Sequence, residues 1–181
     1  ARRSALALLL CAPVLVPAAA AVWLFQTTAP LSDISTDPLD PPHFSSDVSS
    51  DPGMNANEPP RLNPLVQKQF YENITGRRYR LSADAIAGHV DALAAELEWR
   101  VRSGSPRQNG PGEWTLEASA KTRVMGFVDD VIVRVTDEGE STYVDMRSAS
   151  RFGARDFGAN ARRIADFMNA LDLRIQTGTL G

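Results

Sequence analysis

Three consecutive segments in the middle of the chain alternate apolar and polar residues with period two, and that pattern restricts the fold more than any other feature. In Trp114 to Thr122, Leu116, Ala118 and Ala120 alternate with Glu117, Ser119 and Lys121. In Asp130 to Thr136 the apolar set is Val131, Val133 and Val135, and in Thr142 to Ser148 it is Val144 and Met146. Each reads as a strand with one face on a core and the other wet. Asp137 to Ser141 supplies a hairpin turn, so neighbouring strands run antiparallel.

The flanking segments complete the domain. Arg77 to Leu81 and Trp99 to Arg102 read as shorter strands. Between them Ser82 is placed as an N-cap with Asp84 in the first turn, and Ile86, Val90, Leu93 and Leu97 form one apolar stripe of a helix. A turn-rich loop, Gly104 to Gly112, precedes the long strands. A last helix carries Ile164, Phe167, Met168 and Leu171 at i, i+3, i+4 and i+7. The order β-α-β-β-β-β-α predicts an α+β domain over residues 65–181, an antiparallel sheet of about five strands covered on one side by two helices.

Arg2 and Arg3 precede an apolar run from Ala5 to Phe25 that no charge interrupts, close to the roughly 20 residues that cross a bilayer. A secretory signal peptide is the competing reading, with Ala18 to Ala21 offering a cleavage site, but the apolar run continues through Val22, Trp23, Leu24 and Phe25. The favoured expectation for residues 1–28 is one N-terminal transmembrane helix, retained as an anchor. The two arginines place its N-terminus in the cytoplasm and everything after Gln26 outside, in the periplasm of a bacterium, so the chain is expected in the inner membrane. Cys11 lies inside this run and has no second cysteine to pair with.

Residues 29–64 hold eight of the twelve prolines, and residues 31–60 carry six acids (Asp33, Asp37, Asp40, Asp47, Asp51, Glu58) with no Lys or Arg. That composition cannot bury enough surface to fold alone and is expected to form an acidic, Pro-rich linker arm able to hold the domain clear of the bilayer. Beyond it charges balance and arginines alternate with acids, which argues against nucleic acid as a partner.

The main polar candidate is a patch. Arg134, Asp145 and Arg147 alternate away from the apolar residues of their strands, so they project from the face opposite the core, where Arg134 and Asp145 can meet across the hairpin. Arg151, Asp156 and Asn160 follow in the connection to the last helix. As a binding patch, these residues would hold a carboxylate or phosphate through bidentate hydrogen bonds. As a framework, they form a salt-bridge lattice that fixes the passage, with Asp156 or Asn160 capping the helix. The second reading carries more weight, since surface ion pairs are common and contribute only about 0 to 1 kcal/mol each.

Asp129 and Asp130 are secondary candidates as an acid and base pair. Adjacent strand residues point to opposite faces, which argues against a shared proton. His43 and His89 have no ligand spacing, so no metal is expected. No nucleophile elbow or phosphate-cradling loop is present, and no cofactor is expected.

Several stretches together resemble the bacterial and plastid domain-of-unknown-function family 1499. They are Asp33 to Asp37 with Pro41 to Phe44, Trp99, Thr122 to Val131, Val133 to Val135, Val144 to Gly153, and Asp156 to Asn160 with Arg163 and Ile164. The resemblance implies a small envelope or thylakoid-side domain with no agreed activity. By analogy with where that family occurs, photosynthetic or respiratory complexes are candidate partners.

Three functional expectations follow. The first is a membrane-anchored, non-enzymatic interaction domain, an accessory or assembly subunit that engages membrane-complex subunits through its anchor and arm. The second is a carrier for a lipid or small apolar ligand, requiring a cavity between sheet and helices. The third is an envelope hydrolase, requiring Asp129, Asp130 and Asp145 to converge in one cleft.

Overall fold

The computed structural model describes residues 2–45, 54–55, 60–102, 112–122 and 126–178, with side chains from residue 13 onward. Most of the loop from Gly104 to Gly112, and the side chain of Cys11, lie outside the described residues. The elements are α1 (Arg2–Thr27), β1 (Asp33–Ser35), α2 (Pro64–Phe70), β2 (Arg77–Tyr79), α3 (Ala83–Glu96), β3 (Arg100–Val101), β4 (Glu113–Lys121), β5 (Val128–Asp137), β6 (Thr142–Ser150) and α4 (Ala159–Gly178).

The fold is α+β, with one antiparallel sheet in the order β1-β6-β5-β4-β3 and β2 also paired to β6. The sheet has six strands where the sequence suggested about five. The extra one is β1, whose Asp33, Ile34 and Ser35 pair with Ala149, Ser148 and Arg147. β2 takes the other half of the same β6 edge, Arg77 opposite Val144 and Tyr79 opposite Thr142. Only Ile34 is apolar in β1, so there is no alternation for sequence reasoning to detect.

Period two holds across the long strands. Leu116 lies opposite Val133, Ala118 opposite Val131, and Val133 opposite Met146. All are buried with Val135, Val144 and Ile34 on the face that α3 and α4 cover. Ser82 accepts a hydrogen bond from Ala85 N as the N-cap of α3, and Ile86, Val90 and Leu93 are buried. Leu97 departs from the anticipated stripe. It lies past the helix end as the C-cap and is 40% exposed, because Glu98 at φ 55° turns the chain away. Trp99 re-enters the core and stacks on Phe167, ring centroids 5.1 Å apart.

The arm closes on the opposite face of the sheet. Ala29 and Leu31 enter the core beside Ile34, while Pro41, Pro42 and Phe44 are buried against the far side of β5 and β6, where Phe44, Ile132 and Ala149 form a second apolar cluster. Thr36 donates its N–H to Met146 O at 2.9 Å, and its hydroxyl accepts from Met146 N at 2.8 Å. Residues 29–35 thus join the core and the sheet edge and residues 36–45 cover the far face, whereas the composition suggested an extended tether. α2, which sequence reasoning did not anticipate, starts with Asn63 accepting from Val66 N and with Pro64 in its first turn.

α1 is 26 residues long and contains Pro13 and Pro17. Among the described residues, no helix is long and apolar enough to cross a membrane.

Candidate functional site

The face opposite the helices carries Asp130, Arg134, Asp145 and Arg147, and their charges are paired inside the fold. Arg134 sits directly opposite Asp145 in the β5–β6 register. Its Nε donates to Asp145 Oδ1 at 3.0 Å and its Nη2 to Oδ2 at 2.8 Å, and Nη2 also reaches the Asp40 carbonyl at 2.7 Å. Arg147, with no exposure, donates Nε to Asp33 Oδ1 and Nη2 to Asp33 Oδ2, both at 2.9 Å, and Nη1 to Pro42 O at 3.1 Å. Its guanidinium lies 4.8 Å from the centroid of the Phe44 ring. Arg151 donates Nη2 to Asp130 Oδ1 at 2.7 Å.

Alternation places the remaining carboxylates. Asp129 points to the helix side and receives Arg163 Nη2 at 2.6 Å, while Asp130 points to the arm side. The two acids are held on opposite faces, and Asp145 shares the arm side with its own arginine, so the three do not converge in one cleft. Asp156 is the cap of α4, its Oδ1 accepting from Gly158 N at 2.8 Å and its Oδ2 from Asn160 N at 2.7 Å. Asn160 is not a cap. It is buried, accepts from Ser148 Oγ at 2.7 Å and donates Nδ2 to Ser32 O at 3.1 Å.

Burial governs the electrostatics. It pushes the Asp145 carboxyl up to about 6, with the Arg134 hydrogen bonds only partly offsetting the lost hydration. It also pushes Asp156 upward against the two backbone N–H groups that hold it. The pairs are therefore not the weak surface bridges anticipated from sequence. A buried pair is costly to break, because one unpaired charge stays in the interior.

Sequence reasoning missed several partners. Gln67 is buried, its Nε2 donating to Ser35 O at 2.6 Å and its Oε1 accepting from Ser35 N at 3.2 Å. One amide thus satisfies the open edge of β1 as a further strand would. Arg61 donates its backbone N–H to Asp33 Oδ2 at 2.9 Å, and Ser45 binds Glu117 through its N–H and hydroxyl, each at 2.8 Å. The sequence offered an acid-rich arm facing an arginine-rich strand, a complementarity that composition hints at but spacing does not fix.

Clefts open at the margins of the fold among the described residues. One, of about 330 Å³, separates arm residues Thr36 to Leu39 from α2. Another, of about 290 Å³, opens at the Val128 and Ser150 ends of β5 and β6 beneath the start of α4. Its rim carries Phe127, Phe152 and Phe157, which are 57%, 53% and 47% exposed. Arg155 on the same rim donates Nη1 to Phe25 O of α1 at 2.7 Å. Two aromatic-glycine pairs, Phe152-Gly153 and Phe157-Gly158, were the available signal for this rim. Among the described residues no group of three or more His, Cys, Asp or Glu side chains is placed to hold a metal.

Two solved structures share part of this shape. The vertebrate conserved region of human METTL16 aligns with TM-score 0.39 at 9% identity, over 54% of this chain and 94% of that one. CalU16 from Micromonospora echinospora aligns with TM-score 0.34 at 14% identity, over 53% and 72%. Neither likeness is close enough to carry an argument. No curated protein matches the chain in sequence. The family comparison is decisive where these are not, and its match over residues 33–171 begins at the first residue of β1: the chain belongs to the DUF1499 family, described as proteins of unknown function.

Proposed function

We propose that this protein is a membrane-anchored, non-enzymatic interaction domain, with α1 crossing the inner membrane and the folded domain on the periplasmic side, acting as an accessory or assembly subunit of a larger membrane complex. One observation carries the reading. Every described residue of α1 from 13 to 23 is exposed, although the segment is apolar on all sides, with Val14 at 72% and Trp23 at 62%. An all-round apolar helix with no protein cover is suited to lipid or to neighbouring helices. The proposal rests on the uninterrupted apolar run Ala5 to Phe25 in the sequence, close to the roughly 20 residues that cross a bilayer, and goes beyond the described helices, none of which is long and apolar enough to cross a membrane. Pro13 and Pro17 are compatible with a membrane helix, where neighbouring groups re-satisfy the freed carbonyls.

The pairing of Arg134, Arg147 and Arg151 with internal carboxylates supports a framework role for those residues over ligand capture. Partner surfaces are then the helix and the outer side of the folded arm, where Leu39 is 87% exposed. Extraction in mild detergent tests the proposal. Stoichiometric co-purification with larger membrane subunits is expected, and migration as a free small protein would overturn it. The carrier reading draws on the clefts at the margins of the fold. The space between sheet and helices is filled by residues such as Ile86, Leu116, Phe167 and Met168.

A further inference from the structure

We propose that the aromatic rim of Phe127, Phe152 and Phe157 is a membrane-seating surface that enters the headgroup layer of the same bilayer that α1 crosses. The inference rests on the anchor reading and adds an orientation to it. Four observations converge on that end of the molecule.

First, the helix end is fixed to the domain. Arg155 donates to the Phe25 carbonyl and stacks over its ring at 4.1 Å, supplying a cation where α1 exposes unpaired carbonyls. The Thr27 and Thr28 hydroxyls bond back to Trp23 O and Leu24 O, and Thr28 and Ala29 are already buried. No slack separates anchor from fold.

Second, β1 follows within a few residues and pairs with the last residues of β6. The Val128 and Ser150 ends of β5 and β6 therefore face the end of α1, and the Asp137 to Thr142 hairpin points away, about 30 Å off at roughly 3.3 Å per residue.

Third, Trp23 and Phe25 are 62% and 60% exposed at the outer end of the apolar run, which is the level at which aromatic residues collect in membrane proteins. Arg155 of the Phe rim stacks on Phe25.

Fourth, Phe157 is held in left-handed backbone at φ 52°, an unfavourable state for a non-glycine residue, and is left 47% exposed. The Asp156 cap enforces it. Strain that presents an aromatic ring to water gains nothing, whereas the same ring about 5 to 10 Å into the headgroup boundary is buried.

The test uses the full chain in vesicles of phosphatidylcholine, with or without bromine on the acyl chains. Phe157→Trp and Phe127→Trp are read against Glu140→Trp in the distal hairpin, each after subtraction of the parent's own tryptophan emission. The rim positions are expected to emit at shorter wavelength and to lose roughly half or more of their added intensity in brominated lipid, since that depth lies within reach of the chains. Glu140→Trp is expected to lose none. Equal quenching at all three sites, or none at the rim, overturns the proposal, and the second result would assign the rim to a protein partner instead. Alkaline carbonate extraction of the same vesicles separates the two layers of the argument. Retention without rim quenching leaves the anchor standing and removes the seating surface, while release of the chain removes both.

Discussion

Arg147 and Asp33 meet across the β1–β6 pairing as a two-pronged ion pair with no exposure on either side chain. The pair joins an acid of the Pro-rich arm to a strand 114 residues later, and so makes the arm part of the domain. Arg147→Ala is expected to destabilise the fold by about 3 to 5 kcal/mol, because it strands a buried carboxylate. Arg147→Met with Asp33→Asn should recover much of that loss, since the double change removes both charges of the pair. Urea unfolding of the three proteins measures it. An Arg147→Ala protein as stable as its parent would remove the pair from the framework.

The arm's docking has its own signature at Gln67. Gln67→Leu leaves the Ser35 N–H and C=O without their amide partner, at a cost of about 1 to 3 kcal/mol for buried groups left unsatisfied. Hydrogen exchange at Ser35 should accelerate far more than exchange within β5. Unchanged protection there would mean that β1 does not depend on α2.

The strand pattern and the two main helices were legible because their periodicities are strong. Val131, Val133 and Val135 specify the β5 face, and Ile164, Phe167, Met168 and Leu171 specify α4. The arm was not legible. Its one-residue apolar contribution to β1, Ile34, and its buried prolines have no periodic signature, and the residues that hold it lie far away in sequence. The polar patch was found as a set of residues, with Arg134 and Asp145 correctly opposed, but exposure cannot be read from alternation. A face opposite the core looks wet until a second layer covers it, which is why the pairs looked like surface bridges. The rim phenylalanines fit no element pattern, and only the fold brings Phe127 to Phe152 and Phe157.

Asp145 gives the stability a pH dependence of definite sign. Its folded-state value of about 6 lies above the ordinary carboxylate value, so its contribution is fully present below about pH 4 and is lost as pH rises through about 6. Asn resembles the protonated side chain. The stability of Asp145→Asn relative to the parent should therefore improve by on the order of 1 to 3 kcal/mol between pH 4 and pH 7.5. Urea midpoints at the two pH values test this, and a difference that moves the other way would mean that Arg134 outweighs desolvation.

Gly158 and Gly153 separate backbone from packing. Both have left-handed φ, +79° and +83°, but a Cβ at Gly158 would lie 3.3 Å from Thr28 Cγ2 and Tyr71 Oη, whereas at Gly153 the nearest atom is Arg155 O at 3.8 Å. Each change to Ala is expected to cost about 1 to 2 kcal/mol for the backbone. Gly158→Ala should cost more, by loosening the contact between α4 and the end of α1. Equal losses in thermal unfolding would show that this contact is slack.

Placement across the membrane is the claim on which the functional account turns, and thiol labelling measures it most directly. With Glu140→Cys in the distal hairpin of the full chain, a membrane-impermeant maleimide applied to intact spheroplasts should label the protein as fully as it does after lysis. Labelling that appears only after lysis would put the domain on the cytoplasmic side and contradict the account.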